Sequence, residues 1–92
     1  MLRISIPSMG PSKITFNKIR QYDIPQPPLG FVAEVNDDAT LVFEDEQQAI
    51  DYAHALNESA DSVDQSSYEF MIITDIIKAI GDDQFVQAYI QS

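Results

Sequence analysis

Ninety-two residues with 45% apolar content and no cysteine describe a chain sized for one folded domain, expected to span 1–92. Disulfides, thiolate nucleophiles and cysteine-based metal sites are excluded outright. The net charge of −10 disfavours direct contact with phosphate backbones or anionic lipid, where each approach adds like charge instead of releasing counterions.

Leu2, Ile4 and Ile6 alternate with Arg3 and Ser5, the period of a half-buried strand. The opening residues lack both a basic region and a long apolar region, so no export signal is expected and the cytoplasm is the expected location. Pro7 to Ser12 reads as a turn, and Lys13 to Asn17 alternates again as a second strand, with Ile19 out of phase.

Tyr22 to Gly30 contains Pro25, Pro27 and Pro28, too many missing N–H donors for a sheet ladder, and is expected to be an extended surface connection. Its PxxP pattern is short and low in specificity, so a stiff linker is the better reading. Phe31, Ala33 and Val35, then Leu41 and Phe43, form two inward rows joined by turn residues, which predicts an antiparallel hairpin. Glu34 and Glu44 fall on its outer face beside Val32 and Val42.

Asp45 is the expected N-cap of a helix over about 46–57, with Gln48 completing a capping box and Ala49, Ile50, Ala53 and Leu56 as the apolar stripe. Residues 58–65 read as polar turn. A second box, Ser66 with Glu69, precedes a helix whose buried half holds Ile72, Ile73, Ile76, Ile77 and Ile80. A strand over 68–73 is the alternative, given the β propensity of Tyr-Glu-Phe-Met-Ile-Ile. Gly81 suits the left-handed position past the helix end. Asp82 or Asp83 then caps a last short helix burying Phe85, Tyr89 and Ile90. Strands first and helices second predict an α+β fold: a small antiparallel sheet of three to four mostly N-terminal strands against two to three C-terminal helices.

No residue pattern reaches the standard of a catalytic or cofactor motif. His54, the one histidine, sits at helical spacing from Asp51 and Glu58, but a pair on one helix face does not build a triad. Asp37-Asp38, Glu44-Asp45-Glu46 and Asp82-Asp83 lack the glycine-marked loop of a calcium cage and are better explained as caps and turns. No enzyme activity, cofactor or metal is expected.

The distribution of charge is the informative feature. Residues 1–33 carry four bases against Asp23, a net +3, while residues 34–92 carry fourteen acids against Lys78, a net −13. No lysine or arginine occurs from Gln21 to Ile77. Such a surface projects a negative field and attracts a basic protein surface. The expected function is therefore a non-enzymatic acidic binding protein that docks on a basic surface of a partner protein; one version is an inhibitor or nucleic-acid mimic acting on a nucleic-acid-binding protein or nuclease. Glu34, Asp37, Asp38, Glu44 and Asp51 are the expected partner-binding residues. In size and charge alone the chain is similar to small acidic phage-encoded antagonists of host nucleases, including CRISPR systems, and to toxin-immunity proteins. The alternative is a structural or regulatory subunit, monomer or homodimer, that associates through an apolar patch of Val32, Val42, Tyr68 and Met71 while charge serves solubility.

Overall fold

A computed structural model describes residues 1–6, 19–33 and 39–92. Three strands, β1 (Leu2–Ser5), β2 (Phe31–Ala33) and β3 (Ala39–Phe43), form an antiparallel sheet in the order β1-β3-β2. Three helices follow: α1 (Glu46–Ala60), α2 (Tyr68–Asp82) and α3 (Gln84–Gln91). The α+β architecture expected from the sequence is thus present. The strand expected over Lys13–Asn17 lies outside the described residues.

The expected hairpin exists, with Phe31 opposite Leu41 and Ala33 opposite Ala39. β1 joins the other edge of β3, setting Leu2 against Phe43 and Ile4 against Leu41. Period-2 alternation therefore gathers Leu2, Ile4, Leu41 and Phe43 on the face that the helices cover. The central strand is buried along its whole length, including Thr40 and Val42. Both its edges are occupied by neighbouring strands, so a residue on its second face is shielded from the sides. Val42, assigned from the pattern to an exposed outer face, is 8% exposed and does not contribute to a surface patch.

Helix α1 begins as expected, with Asp45 Oδ1 accepting from Gln48 N at 2.9 Å. The reciprocal bond reaches one residue further than the usual box: Gln48 Oε1 accepts from Glu44 N, at 2.9 Å. The helix continues three residues past the expected end because Ala60 and then Val63 find apolar contacts on the core. Its fully buried stripe is Ala49, Tyr52 and Leu56, while Ile50 and Ala53 sit at the edges. Tyr52 packs on Phe43 at 5.7 Å between ring centroids, and its hydroxyl donates to the Pro25 carbonyl at 2.6 Å.

That bond corrects the reading of residues 22–30 as a purely superficial connection. Ile24 and Pro27 are buried, and Tyr22 packs on Tyr68 with centroids 5.7 Å apart. The turn closes with Gly30 N donating to the Pro27 carbonyl, and Gly30 takes the positive φ of 79° that a side chain would resist. With Pro27 buried and the Pro25 carbonyl occupied, the PxxP stretch is a fixed part of the wall.

Residues 68–73 are helical. The N-cap of α2 is Ser67, whose hydroxyl accepts from Phe70 N, and not Ser66, which bonds to Asp64. Gly81 lies inside the last turn of α2 instead of beyond it; Asp83 ends α2 and caps α3, accepting from Phe85 N and Val86 N. A shared cap leaves no room for a glycine turn between the helices. The isoleucine stripe is buried as expected, with Ala79 added and Ile77 at its edge.

Two stability tests follow from these bonds. Ser67→Ala should cost about 1 kcal/mol, the usual loss for an N-cap, in a urea titration, with Ser66→Ala costing clearly less. Equal effects would misplace the cap. Burial pushes the Tyr52 hydroxyl above its ordinary value of 10.0, since the phenolate would be desolvated. The neutral phenol therefore contributes stability that is complete below pH 10 and is lost as pH rises beyond it. Tyr52→Phe should lower stability by about 1 kcal/mol at neutral pH, the net value of one hydrogen bond. It should also remove part of the alkaline decline measured by thermal melts from pH 8 to pH 11.

Candidate docking surface

Because Ala49, Tyr52 and Leu56 turn one side of α1 to the sheet, the opposite side is obliged to face water. That solvent face holds Gln47, Asp51, His54 and Glu58, all exposed and spaced by four, three and four residues. They run about 16 Å along the axis at 1.5 Å per residue. Asp61, also exposed, closes the helix at its C-cap. No lysine or arginine interrupts α1.

Of the five expected partner-binding residues, Glu44 and Asp51 are exposed, at the end of β3 and on the solvent face of α1. Glu34, Asp37 and Asp38 lie outside the described residues. Gln47 links two surfaces. Its side-chain amide donates to Asp51 Oδ1 at 2.9 Å, and its Oε1 accepts from the Tyr89 hydroxyl of α3 at 2.9 Å. His54 is exposed, and Asp51 is engaged by Gln47.

Several carboxylates have local structural work. Asp45 and Asp83 cap helices. Asp64 accepts from both the backbone N–H and the hydroxyl of Ser66, which hold its carboxyl below the usual range. Others work against their surroundings. Glu58 occupies the last turn of α1 and Asp61 its C-cap, while Asp82 is the last residue of α2. Neither helix has a base in its last turn. A carboxylate at the negative end of a helix dipole costs roughly 0.3–1 kcal/mol at low salt. Among the described residues, no group of three or more histidine and carboxylate side chains is placed to hold a metal ion. No described helix is long and apolar enough to cross a membrane.

The exposed apolar surface is not where the sequence placed it. Tyr68 is half-buried against Tyr22, Val32 and Met71 are half-buried, and Val42 is buried. On α3 the residue that enters the core is Val86, at 1% exposure, whereas Phe85, Tyr89 and Ile90 are 57%, 43% and 61% exposed. An eight-residue helix docked on one side buries a single line of side chains, and Val86 supplies it. Phe85 and Tyr89, one turn apart, share one edge of that line; Ile90 lies on the other. Phe85 also forms one wall of a shallow cleft of about 440 Å³. Leu2 and Arg3 of β1 and the Glu44-Asp45-Glu46 junction line the rest of it, together with Met1.

No family model matches this chain, and no curated protein or solved structure matches it.

Neutralising the dipole-opposed acids tests whether they serve stability. Glu58→Gln and Asp61→Asn should each raise the unfolding free energy by roughly 0.3–1 kcal/mol in dilute buffer, and by less at high salt. A loss of stability in either variant would mean that these carboxylates hold the fold together.

Proposed function

We propose that this chain is a non-enzymatic acidic binding protein that docks on a basic surface of a partner protein. Glu44, Asp51 and the solvent face of α1 are the part of the docking surface within the described residues; Glu34, Asp37 and Asp38, docking residues expected from the sequence, lie outside them. The supporting observation is the α1 solvent face itself, which carries exposed acids in a stretch of sequence without lysine or arginine from Gln21 to Ile77. The placement of Glu58 and Asp61 against the helix dipole adds support, because a face shaped by stability alone would favour bases there. In the narrower form of this reading the partner binds nucleic acid, and the carboxylates stand where phosphates would. An inhibitor of a nuclease and an immunity protein both fit that description.

A second reading is favoured by the exposure of Phe85 and Ile90: a structural or regulatory subunit that self-associates through α3. Sedimentation distinguishes it, since self-association gives species heavier than 10.3 kDa as concentration rises.

Electrostatic docking gives fast association that falls steeply with salt. A partner captured at low salt should be released near 0.5 M, where the screening length is only about 4 Å. Glu44→Gln with Asp51→Asn should shorten its retention, and double-stranded DNA should compete for it if the partner binds nucleic acid. Retention unchanged across the salt series and in the double variant overturns the proposal.

A further inference from the structure

The seam between α3 and the start of α1 combines two features that a purely anionic face does not require. Phe85 and Tyr89 are each about half exposed along one edge of α3. Beside Phe85, the cleft is lined by the three acids of the β3–α1 junction, Glu44, Asp45 and Glu46, against one base, Arg3. The Tyr89–Gln47–Asp51 hydrogen bonds make this seam continuous with the acidic face of α1.

We infer that the seam receives an arginine-bearing segment of the partner, with guanidinium groups paired to Glu44 or Glu46 and laid against the Phe85 and Tyr89 rings. The inference rests on the reading that the partner surface is basic, and it names which basic side chain is selected. Arginine fits better than lysine. Its guanidinium is planar and weakly hydrated, and it can bond a carboxylate through one edge while its face stacks on an aromatic ring. Lysine presents a compact, strongly hydrated charge that gains the Coulomb attraction and little else. A second copy of this chain is a poor occupant, because bringing two such seams together opposes carboxylate to carboxylate.

Nonaarginine and nonalysine peptides separate these ideas by titration calorimetry at about 20 mM salt, where screening is weak. Both peptides should bind, with nonaarginine tighter by about two- to fivefold, the gain expected of an exposed cation–π contact. Phe85→Ser combined with Tyr89→Ser should abolish that preference, weakening nonaarginine more than nonalysine. Phe85→Trp, which keeps the site filled and offers a better ring, should widen it. Glu44→Gln with Glu46→Gln should weaken both peptides. If both peptides bind equally, or if the arginine preference survives the loss of both rings, the seam assignment fails and acidic docking stands. If neither peptide binds, both proposals fail. A concentration-dependent dimer abolished by Phe85→Ser would assign the seam to a second copy instead.

Discussion

Burial of Tyr52 against Phe43 determines which way α1 faces, and with it where each carboxylate of that helix points. The ring fills the space between α1 and the central strand, and its hydroxyl ties the helix to the Pro25 carbonyl, which lies in a separate stretch of chain. With Ala49 and Leu56 one turn to either side, the buried line is fixed. A rotation of α1 by even one residue position, 100°, would swing that line off the sheet and carry Asp51 toward the edge of the core. The penalty for burying an unpaired carboxylate makes the observed orientation the one available to this sequence. The acidic face is thus a consequence of core packing, although its charge contributes nothing to that packing.

That separation leaves the domain under electrostatic tension. A chain of this size buries only about 60–65% of its unfolded surface, so its stability margin is modest. Against that margin stand the mutual repulsion of a net charge of −10 and the acids at the negative ends of α1 and α2. Some acids offset part of this by capping: Asp45, Asp64 and Asp83 each satisfy backbone donors that would otherwise lack partners. Glu58, Asp61 and Asp82 have no such role. Exposed aromatic rings on α3 are a further departure from what a merely soluble small domain would display.

The fold was legible where one periodicity dominated. Alternation identified β1 and the β2–β3 hairpin, and the isoleucine spacing identified α2 despite its β-prone start. What the sequence obscured was competition among near-equal choices. Ser66 and Ser67 are both good caps, and the turn bond from Ser66 to Asp64 decides for Ser67. On α3, Phe85 and Tyr89 form as good an apolar pair as Val86 and Ile90, and the short connection through Asp83 brings Val86 inward. Tyr52 lies outside the stripe of Ala49, Ile50, Ala53 and Leu56 expected from the sequence, and its hydrogen-bond partner is a carbonyl 27 residues away. Of the expected docking residues, Glu44 and Asp51 are on the surface; alternation and helical phase suffice to place them there. The seam beside Phe85 was not legible, since it depends on how two helices meet.

Charge and ring surface would act on different steps of the proposed docking. A long-range field raises the rate of encounter and orients the approaching basic surface, but its effect on residence is weakened by screening and by the hydration that charges must shed. Desolvated contacts between rings and planar cations act over a few ångströms and mainly slow dissociation. An acidic face without an apolar anchor would collect basic proteins indiscriminately and release them quickly. An apolar edge without the acids would invite self-association, which like charge opposes. Joined through Gln47, the two surfaces would, in the proposed docking, let one small domain attract broadly at distance and discriminate at contact between arginine and lysine.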